Sequence, residues 1–508
     1  MVANANARKQ LCDFFVWRYR MVTPITNYGV CDPNRLFGRA EICLPIEEIT
    51  AENVVETLSQ ALQVHLLNAA QIDYLYRYMK GEQPVLQRVK TIRPEICNKV
   101  VENHAAEIAQ FISGYFMGEP VTYVRRGERN EASNAINALN NYMAYEDKAS
   151  HDKEMATWMA ICGVGYRMVR PDKNYMGDPD ESPFEIDTPD PRDTFVVYST
   201  GFGHKRLMGV QIVVIQDGGT EKTMYCGYTA THYFEVVDGK CTKWQTHSMN
   251  DVPIFEYRLN MLRMGSFEPA IPIMNAINTL ASNRMDGVEQ YVQSFLKFIN
   301  CDVTNEQVKQ FGQLGAIVVK SESNHPADVQ LVSQELNQTQ TQTLVDHLYE
   351  QMLVICGMPT SYRGGASSSD NLTGNAVLLR DGWQQTEARA RDTELLFKRS
   401  EKHFLRVVLR ILRAMIQEPF NLRLSEIECK FTRRQHDNLL TKTQSLMQML
   451  ESGLSPEVAI STCGLFNDPM DVATKSKLWL EKWKPVEDTV DMDDTLLDDS
   501  APEKSDVE

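Results

Sequence analysis

The residues that could do chemistry occur in short motifs, and each motif departs from the pattern that its chemistry requires. Gly218–Thr223 (GGTEKT) offers a lysine and a threonine but lacks the GxxxxGK spacing of a phosphate loop. Asp172–Pro183 begins like a calcium loop, yet a proline stands where a bidentate acid is needed. His104 and Glu107 share a helix face without a third metal ligand. We therefore predict no catalytic residue, no metal site and no cofactor.

Composition indicates a folded, acidic protein without membrane spans. The 508 residues are 43% hydrophobic and 24% charged, which suits about three globular domains. No apolar run approaches the roughly 18 residues that span a bilayer, and no signal peptide is evident, so we expect the chain to remain in a cytosol. The eleven cysteines are scattered without a CxxC pair and are interpreted as reduced thiols.

The net charge is −16, and the segment Val486–Glu508 accounts for −9 of it. The rest of the chain is still acidic. A protein with this balance does not grip phosphate with a broad basic face, so any contact with nucleic acid must be loose or local.

In the first half, residue spacing predicts helices followed by short strands. The predicted helices are Thr50–Leu67, Ala69–Met79, Pro94–Phe116 and Lys153–Gly163, with a polar run at Arg125–Lys153. β-Rich runs then recur between Gly165 and Tyr257, separated by Gly, Pro and Asp, which predicts an antiparallel meander.

The second half is dominated by long helices around a compact insert. Pro269–Asn300 is predicted as an amphipathic helix with one apolar stripe and one amide-rich face. The remaining predictions are a helix at Thr304–Phe311, a hairpin of Ala316–Lys320 with Asp328–Val332, helices at Leu336–Cys356 and Gly374–Met415, a Gly/Ser-rich loop at Thr360–Thr373, a strand at Ile427–Phe431, a helical region at His436–Trp483 and a disordered acidic tail.

One face of the Gly374–Met415 helix carries a row of cations: Arg399, Lys402, Arg406, Arg410 and Arg413. The spacing places all five on one side. Two interpretations stay open, phosphate contact or a face that is solvated or ion-paired to an acidic neighbour. We favour the second, because charge runs are usually solvated.

The order of these pieces resembles the portal proteins of tailed bacteriophages. Tyr74–Arg88 (YLYRYMKGEQPVLQR) is similar to their "YxxYYxGxQxIxxR" opening. Four further segments resemble later family motifs in the family order: Asn98–Tyr123, Glu154–Val169, Pro189–Tyr198 and Leu372–Ala376. Thr373 replaces the serine of the family's "SGxA" step. The nearest class is the portal of phages with long non-contractile tails and Gram-positive hosts.

The resemblance implies an α+β portal fold that assembles into a ring, normally of twelve subunits. Its parts in this chain would be an N-terminal wing (1–265), a first stem helix (266–300), a small α/β clip (301–335), a second stem helix (336–358), a tunnel loop (359–373), a long wing helix and strand (374–435), a helical crown (436–484) and the acidic tail (485–508). The amide-rich face of the first stem helix could line a channel that does not hold DNA tightly.

The resemblance also implies sites and partners. The tunnel-loop candidates that would face double-stranded DNA are Arg363, Gly364, Gly365, Ser368, Asp370 and Asn371; for Arg363 an ordinary ion pair is the alternative. Arg284 and Lys297 are channel-lining candidates, and for each of them an ordinary ion pair is again the alternative. Lys309, Lys320 and His325 are candidates for docking the terminase large subunit or a head–tail adaptor protein. Other implied partners are the major capsid and scaffolding proteins. The expected location is the capsid portal vertex of the virion, after assembly in the host cytoplasm.

Two other classes remain as alternatives. A virion neck or tail adaptor is usually much shorter than this chain and lacks two stem helices around an insert. A nuclease or ATPase would need a carboxylate–metal cluster or a phosphate loop, and neither pattern occurs in the sequence.

Overall fold

The computed structural model describes residues 38–126, 131–178, 180–217, 220–292, 295–299, 328–332, 338–360, 383–416, 420–432, 439–466 and 472–477. The described chain mixes helices and sheets, as predicted. None of the described helices has the length and apolar character needed to cross a membrane.

The first helix, α1 (Val54–Met79), is continuous, so the predicted break near Asn68 is wrong. The Asn68 side chain does not end the helix, because it bonds sideways to the main chain of Ala40. Its Oδ1 accepts from the Ala40 N–H at 2.9 Å, and its Nδ2 donates to the Ala40 carbonyl at 2.8 Å. These bonds hold the chain that leads into strand β1 (Ile42–Leu44) against α1.

Helix α2 covers His104–Phe116, and the predicted start at Pro94 is wrong. Residues 98–103 lie outside it because their N–H groups bond to side chains of another helix, as described below. The polar run after strand β2 (Thr122–Arg125) folds as helix α3 (Glu131–Tyr145), and helix α4 (Lys148–Cys162) follows. α4 ends at Gly163, whose φ of +83° and close approach to the Arg263 carbonyl both require a residue without Cβ.

The strand-rich region forms two sheets, and one of them contains the predicted meander. Strands β5 to β9 follow each other as antiparallel neighbours, which confirms the meander, and β1 adds to β5 in parallel. Their bounds are Thr194–Ser199, Arg206–Asp217, Thr220–Thr229, His232–Val237 and Lys240–Thr246. A separate sheet has the order β10–β3–β4, from Ile254–Arg258, Val164–Pro171 and Phe184–Asp187.

Two long helices flank a short two-stranded ladder. Helix α5 (Ile271–Val292) is followed by strand β11 (Phe295–Ile299), so the predicted helix through Asn300 is wrong at its end. The sequence FLKFI is a short apolar, aromatic run that suits a strand as well as a helix, and pairing decides between them. β11 pairs antiparallel with β12 (Asp328–Val332). The other predicted hairpin strand, Ala316–Lys320, and the predicted helix at Thr304–Phe311 lie outside the described residues. Helix α6 (Gln338–Cys356) comes next and contacts α5.

Helix α7 (Trp383–Met415) packs its apolar side on strands β10 and β3. Phe397, Phe404 and Leu405 are buried in the same core as Phe255 of β10. Strand β13 (Ile427–Lys430) pairs antiparallel with β2 and closes this part. A separate compact unit, His436–Glu508, contains helices α8 (Leu439–Glu451) and α9 (Pro456–Cys463), where the sequence predicts a helical region.

Candidate functional site

The polar face of α5 is bound by an extended segment of the same chain. The N–H groups of Asn98, Val100 and Glu102 donate in turn to Asp286 Oδ1 (2.7 Å), Ser282 Oγ (3.0 Å) and Asn278 Oδ1 (2.8 Å). The spacing of the donors along the extended segment matches the spacing of the acceptors along the helix. Two extended residues rise about 6.6 Å, and four helical residues rise about 6.0 Å. Side chains spaced by four along a helix therefore serve as acceptors for alternate N–H groups of an extended segment.

The partners in this ladder are buried. Asn278 and Ser282 are fully buried, and Asp286 is nearly so. Asn278 Nδ2 also donates to Gln83 Oε1 at 2.5 Å, and the Tyr78 hydroxyl donates to Asn275 Oδ1 at 2.9 Å. The expectation that the amide-rich face of α5 lines a channel is therefore wrong for these positions, because the face is already occupied.

The Asp286 side chain also binds the loop of residues 88–98. Arg88 and Lys90 place cationic nitrogens 2.9 and 3.0 Å from its Oδ2, and the Arg88 guanidinium donates to the Asn98 carbonyl at 3.0 Å. Burial alone would raise the pKa of Asp286. The bonds from Asn98 and Lys90 and the charge of Arg88 outweigh burial, so the pKa lies below its ordinary value. Asp286 is therefore ionised at neutral pH and joins both ends of the 88–98 loop to α5.

Towards its C-terminal end, α5 exposes apolar side chains, although Met274 and Ile277 nearer its start are buried in the core. Met285 and Val288 are exposed on α5, and α6 exposes Leu344, Val354 and Ile355. The tip of the 88–98 loop likewise exposes Val89 (83%) and Ile92 (78%). Because α5 and α6 contact each other, their exposed apolar side chains make this pair of helices a candidate contact surface.

The two predicted channel residues lie in different environments. Arg284 Nη1 donates to Gln342 Oε1 of α6 at 2.7 Å, so it ties the two helices together. Lys297 lies in β11, opposite Gln330 of β12. The two residues therefore belong to different elements, helix α5 and strand β11.

The start of α5 is fixed by a second set of charges. Glu268, in the turn that precedes α5, accepts from Arg39 Nη2 at 2.5 Å and from the N–H groups of Gly38 (3.1 Å) and Gly265 (2.9 Å). Nearby, Arg263 Nε donates to Glu256 Oε1 at 2.6 Å. The Glu268 bonds attach the turn before α5 to the chain that leads into β1, and the Arg263 bond attaches the preceding loop to β10.

A buried charge cluster attaches α7 to four other elements. Glu401 of α7 accepts from Arg167 (2.9 Å, β3), Lys148 (3.1 Å, α4), Tyr257 (2.5 Å, β10) and Tyr123 of β2. Asp152 completes the cluster by binding Lys148 at 2.6 Å and Arg167. Arg167 and Glu401 are both 0% exposed.

The electrostatics of the cluster favour an ionised Glu401. Burial alone would raise the pKa of Glu401, but Lys148, Arg167 and the two tyrosine hydroxyls hold the pKa well below its ordinary value. Burial lowers the pKa of Lys148 to about 8, which keeps it charged at neutral pH. Two cations therefore balance two carboxylates, as a buried network requires.

Sequence patterns contained a signal for these residues that the predictions missed. Arg167 interrupts the apolar run Val164–Val169, and Glu401 stands in the apolar stripe of α7 between Phe397 and Leu405. A charge inside an apolar pattern requires a buried partner. On α5, the four-residue spacing of Asn278, Ser282 and Asp286 was the corresponding signal.

The basic row on α7 has no acidic partner in the part of the chain that the structure describes. Arg410 Nη1 donates to the carbonyls of Met249 (3.0 Å) and Asn250 (2.9 Å), and Arg413 Nη2 donates to the Leu422 carbonyl at 2.6 Å. The favoured interpretation allowed either a solvated face or a face that is ion-paired to an acidic neighbour. The ion-paired form is therefore wrong within the described residues. Arg399, Lys402 and Arg406 are exposed.

One group of possible metal ligands is found among the described residues: Glu41, Cys43 and His204. Arg263 binds the Glu41 carboxylate directly, and Arg258 lies 3.8 Å from it. Burial, reinforced by the Glu41 charge, raises the pKa of the Cys43 thiol. A cation would have to displace an arginine and deprotonate this thiol, so the donor set does not fit a metal.

Other predicted site residues lie outside the described residues. They are Arg363, Gly364, Gly365, Ser368, Asp370 and Asn371 of the predicted tunnel loop, and Lys309, Lys320 and His325 of the predicted clip.

Comparison with known proteins defines the class. A family described as "Phage portal protein, SPP1 Gp6-like" matches residues 59–484, more than four fifths of the chain. The chain belongs to this family. It is therefore a phage portal protein, a head–tail connector component of a virion.

Comparison with individual proteins gives solved structures of low similarity and no curated relative. No curated protein matches the chain. Among solved structures, the chain is similar to one titled "Neck of empty GTA particle computed with C6 symmetry", with 12% identity, a TM-score of 0.40 and coverage of 71% of this chain and 90% of that one. A second, "Neck of native GTA particle computed with C12 symmetry", gives 11% identity, a TM-score of 0.40 and coverage of 71% and 89%.

Proposed function

We propose that copies of this chain form a closed ring of twelve subunits whose channel passes double-stranded DNA during packaging and ejection. The observation that carries the proposal is the family match over 59–484, together with α5 and α6 flanking the β11–β12 ladder. In this proposal α5 and α6 are the stem, 301–335 the clip and 359–373 the tunnel loop. The wing comprises 1–265 and 374–435, the crown 436–484, and the acidic tail 485–508.

In this proposal, the exposed apolar side chains of the two stem helices supply the contact between subunits. Met285 and Val288 on α5, and Val354 and Ile355 on α6, are exposed in the single chain. In a ring each subunit meets its neighbours through two different surfaces, so both helices can bury these side chains. The ladder does not engage these side chains, because its bonds go to Asn278, Ser282 and Asp286.

The DNA contact is assigned to the tunnel loop, with Arg363 as its cation and Gly364, Gly365, Ser368, Asp370 and Asn371 as its small or polar neighbours. A weak contact suits a channel through which DNA must slide. The test is packaging of DNA into capsids by the variant Arg363→Ala. The proposal predicts less DNA packaged with unchanged rings, and unchanged packaging would remove Arg363 from the contact.

The clip is assigned to docking the terminase large subunit and the head–tail adaptor protein. Lys309, Lys320 and His325 are the candidate contacts. We expect deletion of 320–327 to abolish terminase binding in a pull-down from purified components while rings still form. Retained binding would exclude residues 320–327 as the terminase docking site. A matched control is K173E/K205E, because both lysines are exposed and lie outside the clip.

Catalysis belongs to a separate protein in this proposal. The family is structural, and we propose that the chain hydrolyses no ATP and cuts no DNA. Assembly with the major capsid and scaffolding proteins would take place in the cytoplasm of a Gram-positive host, without a membrane partner, for a phage with a long non-contractile tail. Metal- or ATP-dependent activity of the purified protein would contradict the assignment.

A further inference from the structure

The α7 basic row consists of Arg399, Lys402, Arg406, Arg410 and Arg413. Steps of three or four residues place the side chains on one face, and the row spans about 21 Å at 1.5 Å per residue. Four of the five are exposed and Arg410 is half-buried. The row is thus a linear, regularly spaced array of cations.

The charge of this array is not neutralised within the described residues. The bonds of Arg410 and Arg413 go to main-chain carbonyls, which fix the side chains without removing their charge. Like charges at this spacing repel each other in the folded chain. An acidic protein of net charge −16 therefore keeps an unpaired cationic face on one helix.

His403, which lies within the row, responds to this charge. Burial together with the charges of Arg206, Arg406 and Arg399 lowers the pKa of His403 to about 4. The imidazole is neutral at neutral pH, so its Nδ1 accepts from Arg406 Nη1 at 3.4 Å. Asp251, the carboxylate whose charge acts on His403, is engaged by Arg206 at 2.8 Å.

The chemistry of the face favours phosphate over a protein partner. Guanidinium groups match phosphate oxygens with two parallel hydrogen bonds, and four of the five cations are arginines. Between Lys398 and Arg413, α7 exposes no large apolar side chain, and the exposed Leu395 (68%) lies one turn before the row and not at its centre. A protein interface needs an apolar centre, whereas a phosphate backbone needs only regularly spaced cations.

We propose that the α7 basic row binds the phosphate backbone of duplex DNA without sequence preference. The contact goes beyond the proposed channel residues, because it lies on a different element from Arg363, Arg284 and Lys297. It does not require ring formation, so each proposal can fail alone.

The test is fluorescence anisotropy of a short random-sequence duplex, titrated with the full-length protein from low to physiological salt. The variant R399Q/K402Q/R406Q removes the three exposed cations that make no main-chain bond. We expect binding weaker by roughly tenfold or more, and a slope of log K against log salt smaller by about 2.7, since each phosphate contact contributes about 0.9. The control K173Q/K205Q/K240Q makes the same change of charge at exposed lysines elsewhere and should bind like the wild type.

Three results overturn the proposal. The first is no binding of DNA by the wild type, and the second is equal loss of binding in both triple variants. The third is row-dependent binding of labelled polyglutamate without row-dependent binding of DNA, which would assign the face to an acidic protein segment. Electron microscopy of the same samples reports ring formation separately.

Discussion

Asn98 and Asp286, which are 188 positions apart, are joined by two hydrogen bonds to one carboxylate oxygen. The Asn98 N–H lies 2.7 Å and its Nδ2 3.0 Å from Asp286 Oδ1. This pair begins the ladder that continues through Ser282 and Asn278. It attaches an N-terminal segment to the helix that we assign to the stem, so the position of that helix depends on a segment distant in sequence.

Asp286→Ala should release the ladder. The variant removes a buried acceptor of four donor groups, which are the cations of Arg88 and Lys90 and the main-chain and side-chain N–H groups of Asn98. A hydrogen bond to a charged group is worth about 1.5–3 kcal/mol. We expect amide exchange over residues 96–103 to be at least about tenfold faster by hydrogen–deuterium exchange mass spectrometry. Asp346→Ala, an exposed aspartate on α6, is the control and should leave this segment protected. Unchanged exchange in the Asp286 variant would show that the ladder does not hold the segment.

Glu401→Gln should destabilise the fold strongly. It leaves Arg167 and Lys148 buried with only Asp152 to balance them, and an uncompensated buried charge costs about 3–5 kcal/mol. The measurement is the midpoint of thermal unfolding. Glu428→Gln makes the same chemical change at an exposed site and should shift it little. Equal effects of the two variants would mean that the cluster is not a source of stability.

The effect of Glu401→Gln should shrink in acid. The pKa of Glu401 is lower in the folded protein than in the unfolded chain, so its ionised form stabilises the fold above the ordinary glutamate pKa of about 4.3. That contribution fades as the pH falls from there towards the lower, folded-state pKa. The difference in unfolding midpoint between wild type and variant should therefore be full at neutral pH and smaller below about pH 4. A difference independent of pH would indicate a steric cause.

Val288→Asp combined with Ile355→Asp should prevent ring assembly. Both side chains are exposed in the single chain, so the substitutions should leave the fold intact and place charge in the subunit contact. The measurement is native mass, with circular dichroism as the check on folding. Met176→Asp with Phe202→Asp, at exposed apolar positions outside α5 and α6, is the control and should assemble. Normal assembly of the α5/α6 variant would move the contact elsewhere.

Local patterns in the sequence were sufficient to predict most helices and strands. Strands β5 to β8 and helices α5, α6 and α7 follow from period and breakers, because their apolar faces meet the core. Three of the misses share one cause, which is hydrogen bonding to residues distant in sequence. The α1 helix continues because Asn68 bonds to Ala40, residues 98–103 stay extended because α5 supplies their acceptors, and β11 forms because β12 pairs with it.

The class of protein was predictable only through family resemblance. The motifs in Tyr74–Arg88 and Pro189–Tyr198 indicate a portal protein, and the family match confirms it. Periodicity gave α5 an amide-rich face but could not show that the face is occupied, since its partners lie almost two hundred residues away. The assignment of Arg363 and of the clip residues stays a prediction.

Negative-stain electron microscopy of the purified protein, with native mass in low and high salt, tests the central claim most directly. The account predicts rings of twelve subunits with a central hole slightly wider than a DNA duplex. A compact monomer under every condition, even with scaffolding or capsid protein present, would contradict the ring and the roles assigned to α5 and α6.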